Sequence, residues 1–117
     1  MKTIIILGSL LLGSTTGVFG QIQGDIADIN EKGISNAIII ATDSLTKVAD
    51  TVRSDNRGFY DFKKLKPGKY KIEVKAQGYK PAIIENVIVK EGDVGYFERD
   101  LYRGQRIDIT LSPAKLP

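Results

Sequence analysis

Cysteine and histidine are both missing from the 117 residues of this chain. Without cysteine the protein can form no disulfide, and it cannot be attached to a membrane through a lipid on an N-terminal cysteine. Without histidine it can build no His-based zinc site, no Ser-His-Asp triad and no Cys-His pair. The folded state must therefore be stabilised by its apolar core, and much of the chemistry open to a small enzyme is excluded.

A strong excess of one charge is also missing, since 17 basic residues face 14 acidic ones and the formal net charge is +3. One of these positive charges, Lys2, belongs to the leader described below, and its removal lowers the net charge to +2. A nucleic-acid-binding domain usually has a larger basic excess. The sequence therefore predicts no nucleic-acid partner.

The first 20 residues have the layout of a secretory signal peptide. Lys2 is followed by an apolar run over residues 3–12 and then by small residues that end at Gly20. Cleavage after Gly20 is expected to leave residues 21–117 as one exported domain, periplasmic or extracellular, while an uncleaved anchor stays open as the alternative. No later segment approaches the roughly 20 apolar residues of a spanning helix, so no transmembrane segment is expected after cleavage.

Apolar and polar residues alternate with a period of two between turn signals, and no helical period is convincing. The clearest case is the segment over residues 69–76, in which Tyr70, Ile72 and Val74 share one face while the lysines share the other. Counting such segments predicts an all-β, antiparallel-rich sandwich of seven or eight short strands.

Several strands of this sandwich carry more specific expectations. The continuous apolar run over residues 37–42 predicts a strand covered on both faces. Residues 47–54 are predicted to form a more polar strand with Val48 and Val52 on one face, and residues 94–102 another strand. The closing strand is predicted to carry Ile107, Ile109 and Leu111.

Carboxylates offer the remaining route to catalysis, and their placement does not favour it. Glycoside hydrolysis requires two acids that face each other across a cleft.

The segment that begins at Asp28 has part of the pattern of a calcium loop. Asp28 and Asn30 alternate as in such a loop, but Lys32 occupies the next ligand position and no closing glutamate follows. We therefore expect a plain turn there, no metal, no cofactor and no enzymatic activity. The acids that could have formed a catalytic pair are all expected to face solvent or turns; they are Asp25, Asp28, Asp50, Asp61, Glu73 and Glu98.

A specific order of turn and aromatic residues runs through the middle of the chain: Asp55-x-x-Gly58, Tyr60-x-Phe62, Leu65, Pro67-Gly68-x-Tyr70 and Gly78-Tyr79. Together with "GDIADINEKGISNAIIIAT" before it and "IDITLSP" near the end, this order resembles the carboxypeptidase regulatory-like domain, a transthyretin-like sandwich of seven strands. The resemblance implies that Asp55 accepts hydrogen bonds from turn amides and that the aromatic residues fill the space between the sheets. It also implies a module found beside peptidases, outer-membrane transporters and adhesins, or alone after a signal peptide. The hydrolases and intradiol dioxygenases of this fold need histidines, which this chain lacks.

The family pattern does not account for residues 94–106, "VGYFERDLYRGQR". Tyrosine and arginine are enriched at interfaces because each combines contact area with directional hydrogen bonds. Alternation also turns Phe59 outward, since Tyr60 and Phe62 point inward. The predicted binding residues are therefore Phe59, Tyr96, Phe97, Arg99, Tyr102, Arg103 and Arg106.

Seven lysines in residues 62–80 have two interpretations, a solvated sheet face that discourages edge aggregation or a surface that grips a ligand. The functional hypothesis is a non-catalytic, exported binding or structural module of the cell envelope, with an envelope or surface protein as partner. One alternative is a carbohydrate-binding module that binds polysaccharide through exposed aromatics. A second is an accessory domain of an outer-membrane transport or secretion assembly, docking through a strand edge or residues 94–106.

Overall fold

A computed structural model describes residues 20–90 and 105–115 of the chain. Those residues form only strands and connecting turns, and no helix among them could span a membrane. The predicted all-β sandwich is confirmed. The strands are β1 (Gly20–Ala27), β2 (Ile38–Asp43), β3 (Ala49–Arg53), β4 (Phe59–Leu65), β5 (Gly68–Lys75), β6 (Ala82–Val89), β7 (Gln105–Arg106) and β8 (Ile109–Thr110).

The strands form two sheets. The first sheet has β1 in its centre, with β4 antiparallel on one side and the short strands β7 and β8 parallel to β1. The second sheet has the order β3-β2-β5-β6 and is antiparallel throughout. The last residues connect the sheets, because the backbone N–H of Lys80 donates to the Ser112 carbonyl at 2.9 Å and that of Ala114 donates to the Gly78 carbonyl at 2.9 Å.

The core lies between the sheets and is built by alternate residues of the long strands. In β5 the pattern is regular: Tyr70, Ile72 and Val74 are buried, and the residues between them face outward, as predicted. In β1 the same alternation buries Ile22 and Ile26. The largest fully buried side chains are Tyr60, Ile22, Ile26, Ile39, Leu65, Ile72, Leu111 and Val74.

A bulge in β6 reverses which residues of that strand face the core. Tyr70 pairs with Val87 but Ile72 pairs with Ile84, so β6 contains one more residue than β5 between these pairs. Asn86 accommodates the extra residue with a φ of 59°, a conformation that asparagine tolerates better than most residues. The result is that Ile83 and Ile88, one on each side of the bulge, both point to solvent.

Two predicted strands differ in detail from the structure. Residues 37–42 are not covered on both faces, because Ile39 and Ala41 are buried while Ile38 and Ile40 are only half-buried on the outer face. The strand predicted over residues 47–54 begins at Ala49. The chain before it makes a tight turn, with Lys47 at a φ of 68°, and this turn leaves Val48 exposed.

The end of the chain forms two short strands where one was predicted. Ile109 and Leu111 are buried and Ile107 is partly buried, so the predicted apolar set does face the core. The segment follows β1 through hydrogen bonds from Ile107 N to the Gln23 carbonyl and from Leu111 N to the Ala27 carbonyl, both 2.8 Å. The strand predicted over residues 94–102 lies outside the described residues.

Candidate functional site

Two of the seven predicted binding residues, Phe59 and Arg106, lie in the part of the chain that the structure describes, and both lie on the first sheet. Phe59 is the first residue of β4 and is directly opposite Asp25 of β1. Arg106 is in β7, on the other side of β1. The other five, Tyr96, Phe97, Arg99, Tyr102 and Arg103, lie outside the described residues and stay predictions.

Arg106 is held by two carboxylates. Its Nη2 donates to Asp25 Oδ2 at 2.8 Å and its Nε donates to Asp108 Oδ2 at 3.2 Å. Asp108 is itself fixed, because its Oδ1 accepts the backbone N–H of Asp25 at 2.9 Å. The hydrogen bond and charge of Asp108, together with Asp25, raise the pKa of the Arg106 guanidinium further above its ordinary value. About half of each side chain in this group stays accessible to solvent.

Phe59, Asp25 and Arg106 therefore form a row across the outer face of the first sheet, which we call the Phe59 row. Phe59 is half-buried, so part of its ring surface is open. The row combines an aromatic ring, a carboxylate and a guanidinium that come from three different strands. Phe59 and Arg106 were predicted as binding residues for separate reasons and are 47 positions apart in the sequence. The structure places both beside Asp25.

A shallow concavity of about 540 Å³ lies beside Phe59, where β1 ends and β4 begins. The two loops that border it approach closely: a Cβ atom placed on Gly33 would lie 2.0 Å from the Arg57 carbonyl oxygen. Its charged groups are three carboxylates and one guanidinium. The lining residues are Asp25, Ala27, Glu31, Gly33, Asp55, Arg57 and Phe59.

The turn before Phe59 is organised by Asp55, as the resemblance implied. Asp55 Oδ1 accepts the backbone N–H groups of Arg57 at 2.8 Å and of Phe59 at 2.9 Å. These two hydrogen bonds hold the pKa of the Asp55 carboxyl below its ordinary value, and the bond from Arg57 has the larger effect. Gly58 completes the turn with a φ of 90°. The position of Phe59 is therefore fixed through its own backbone.

Substitution of Asp55 tests this turn through its pH dependence. A carboxyl whose folded pKa is lowered stabilises the fold above its unfolded pKa of about 3.9, and this contribution is lost as the pH falls through the folded value. We expect Asp55→Asn to be less stable than the parent at neutral pH and to lose less stability on acidification below about pH 4. Urea unfolding across that range would measure both effects. Glu85→Gln, which removes one carboxylate charge from an exposed position of β6, is the matched control, and an equal change in both variants would contradict the assignment.

Asp61 departs from the expectation that the acids face solvent or turns. It lies opposite Gln23 on the outer face of the first sheet and is partly buried, and its Oδ1 has no hydrogen-bond partner within the described residues. Burial raises the pKa of the Asp61 carboxyl above its ordinary value, and the nearby Lys63 opposes that rise.

Asp28 organises the turn that follows β1. Asp28 Oδ1 accepts the backbone N–H groups of Asn30 at 2.8 Å and Lys32 at 3.0 Å, so the carboxylate organises its own loop. Within residues 20–90 and 105–115 no group of three histidine, cysteine or acidic side chains is placed to hold a metal ion.

Asp25, Asp108 and Arg57 belong to this surface but were not nominated from the sequence as binding residues. Asp25 and Asp108 are 83 positions apart, and no local pattern connects them. Arg57 could have been nominated, since it lies in the same turn as Asp55 and directly precedes Gly58 and Phe59.

The family assignment follows from a direct match. The model of the carboxypeptidase regulatory-like domain matches residues 21–112, which includes all the described strands except the first residue of β1. The chain belongs to this family. The resemblance carried by the Asp55, Gly58 and aromatic order is thereby confirmed.

Relatives of this regulatory-like domain include a much longer protein and structures of distant sequence. A segment of 63 residues is 38% identical to serine-aspartate repeat-containing protein D of Staphylococcus aureus (strain Newman), and it covers 53% of this chain but 5% of that protein. A candidate carbohydrate binding protein from Bacteroides uniformis superimposes with a TM-score of 0.59 at 17% identity, covering 80% of this chain and 41% of that one. Hydroxyquinol 1,2-dioxygenase from Pseudomonas putida gives 0.61 at 12% identity, covering 85% and 58%. At these identities the two structures share the fold alone.

Proposed function

We propose that this regulatory-like domain is a non-catalytic, exported module of the cell envelope that binds a partner protein through the Phe59 row. The observation that carries the proposal is the Phe59 row itself, in which an aromatic ring, a carboxylate and a guanidinium lie next to an open concavity. Aromatic residues and arginine are the types enriched at protein interfaces and at their energetic centres.

The geometry of Arg106 suits recognition because its side chain is already held in place. Two carboxylates fix the guanidinium, so Arg106 loses less side-chain freedom when a partner binds than a free arginine would. The Arg106 side chain stays about half exposed and retains surface for stacking or for a further hydrogen bond. The backbone of Phe59 is fixed as well, by the hydrogen bond of its N–H to Asp55.

The carboxylates of the concavity support a binding role better than a catalytic one. Asp25 is ion-paired with Arg106, and Asp55 is occupied by two backbone amides. The dioxygenases that share this fold are related by fold alone, and this chain has no histidine with which to repeat the ligand sets expected of that class.

A second candidate function is carbohydrate binding, which the structural similarity to the Bacteroides uniformis protein favours. Phe59 could stack on a sugar ring while Glu31 and Arg57 hydrogen-bond to hydroxyl groups from the rim of the concavity. Both candidates use the same residues, so an experiment must separate them by ligand.

Affinity capture with substituted domains would test the proposal. The parent domain, Phe59→Ser and Arg106→Gln would be used to isolate envelope proteins, and affinity for the captured partner would then be measured with purified components. Loss of a central interface residue costs about 2 kcal/mol or more, so we expect at least a roughly thirtyfold weaker Kd for Phe59→Ser.

Matched changes on the second sheet provide the control. Ile88→Ser and Arg53→Gln remove an apolar and a cationic side chain from the opposite outer face and should leave the Kd unchanged. Equal losses in both pairs would overturn the assignment of the site. Retention on an insoluble polysaccharide that is lost in Phe59→Ser, with no protein captured, would replace the protein partner by the carbohydrate.

A further inference from the structure

The outer face of the second sheet is basic and apolar, and the proposed function does not use it. It is defined here as the basic face, by six outward residues on three strands: Arg53, Lys69, Lys71, Lys75, Ile83 and Ile88. Lys69 and Lys75 are exposed and Lys71 is half-buried. Ile83 is 55% exposed and Ile88 49%, which is unusual for isoleucine on a sheet.

Strand pairing places the isoleucines among the lysines. Ile88 is directly opposite Lys69, and Ile83 is opposite Glu73, which lies between Lys71 and Lys75 on the same face of β5. Directly opposite side chains in an antiparallel pair have Cβ atoms about 5 Å apart. The β6 bulge is the cause of this arrangement, because an unbroken strand with Ile83 facing outward would turn Ile88 inward.

Cations outnumber anions on this face. Arg53 and three lysines share it with two acids, Glu73 of β5 and the exposed Glu85 of β6, and none of the three ammonium groups lies within ion-pairing distance of a carboxylate in residues 20–90 and 105–115. On the opposite sheet, by contrast, Arg106 is neutralised by Asp25 and Asp108. The basic face therefore presents cations that are available to an external anion.

The loop between β2 and β3 lies at one end of the second sheet, beside Lys69. Leu45 at its tip is 88% exposed, and Lys47, two residues later, is also exposed. The loop is fixed to β5 because the backbone N–H of Ser44 donates to the Lys69 carbonyl at 2.8 Å. Four of the five exposed large apolar side chains in the described residues thus belong to the second sheet or its loop.

We propose that the basic face docks on an anionic phospholipid surface. Aliphatic side chains between lysines suit this partner, because the aliphatic groups enter the headgroup region while the long lysine side chains keep their charge at the phosphates. The face presents no aromatic ring on the outward positions of its four strands, so it lacks the platform that sugars stack on. Lysine is also depleted at protein interfaces, which disfavours a protein as its partner.

Vesicle flotation tests the proposal directly. The chain beginning at Gln21 retains every buried core residue among those described, from Ile22 to Leu111. We expect it to bind vesicles containing phosphatidylglycerol, to bind phosphatidylcholine vesicles weakly, and to be released as salt is raised. Each lysine near an anionic surface contributes about a fivefold gain, so Lys69→Gln with Lys75→Gln should weaken binding roughly 25-fold.

A matched pair outside the basic face serves as control. Lys32→Gln with Lys63→Gln makes the same change in net charge on the turn after β1 and on the first sheet, and should weaken binding far less. No binding of the parent to phosphatidylglycerol, or equal losses in the two pairs, would overturn the proposal. Binding to heparin through Lys69 and Lys75 without vesicle binding would also overturn it, and would identify a polyanion as the ligand.

Orientation gives an independent measurement that does not depend on charge. Because the chain contains no cysteine, a single one can be introduced and labelled with a polarity-sensitive fluorophore. A label at Ile88→Cys should shift to shorter wavelength on phosphatidylglycerol vesicles, while one at Gln23→Cys on the first sheet should not. A shift at Gln23→Cys with none at Ile88→Cys would overturn the assignment of the docking face.

Discussion

Replacing Gly58 by alanine is expected to destabilise the domain by about 2–5 kcal/mol, a large part of the roughly 5–15 kcal/mol that holds a small domain folded. Two physical terms add. A φ of 90° costs a residue with a Cβ atom about 1–2 kcal/mol, and forcing a methyl group into packed structure costs about 1–3 kcal/mol more. The Cβ would lie 2.4 Å from the Ile26 carbonyl oxygen, a backbone atom that cannot move without displacing β1.

Comparison with Gly78→Ala separates the cost of the positive φ from the cost of the steric clash. Gly78 has nearly the same φ, 88°, but nothing lies within 4 Å of the position that its Cβ would occupy. It should therefore lose only the conformational part, about 1–2 kcal/mol. Urea unfolding of both variants measures the difference. Equal losses would show that the close approach of Gly58 to β1 contributes nothing.

Ser54→Ala is expected to destabilise the domain by about 2–6 kcal/mol, although the change removes a single oxygen atom. Ser54 is the buried polar residue of the core region within the described residues. Its Oγ accepts the backbone N–H of Ala37 at 2.8 Å and donates to the Ile34 carbonyl at 2.7 Å. Alanine would leave both buried backbone groups without this partner, at about 1–3 kcal/mol each when unsatisfied.

Hydrogen exchange provides a readout that general destabilisation would not give. In Ser54→Ala the amide of Ala37 should exchange faster relative to the neighbouring amides of β2, because it loses its acceptor. Ser112→Ala, at an exposed serine near the end of the chain, should change neither stability nor exchange. Uniform acceleration across β2, with no specific effect at Ala37, would contradict the role assigned to the Ser54 hydroxyl.

The sequence predicted those parts of the fold that depend on local patterns. The alternation in β5 identified its buried face, and the Asp55-x-x-Gly58 spacing identified a turn whose hydrogen bonds the structure contains. The β6 bulge was not predicted, because the apolar run around Asn86 does not show where an extra residue changes the face. Ser54 was missed for a related reason, since one serine in a polar segment does not show that its partners are Ile34 and Ala37.

The candidate site was predicted in part. Alternation correctly turned Phe59 out of the core, but its neighbour Asp25 depends on the register between β1 and β4, which the sequence does not contain. Arg106 was nominated for its residue type alone, and its two carboxylate partners came from distant positions. The lysines of β5 had two open interpretations, and the deciding feature, the exposed isoleucines beside them, appears only once the bulge is known.

The parallel pairing of β1 with the last strands has a consequence for the order of folding. Ile26 lies beside Ile109, so the central strand of the first sheet stays incomplete until almost the whole chain is available. Closing a loop this long costs entropy before its contacts form, and topologies rich in such non-local pairings fold more slowly than those built from local contacts. A chain still being synthesised therefore cannot complete its first sheet before residue 110 is available, whereas every strand of the second sheet is present once residue 89 has been made.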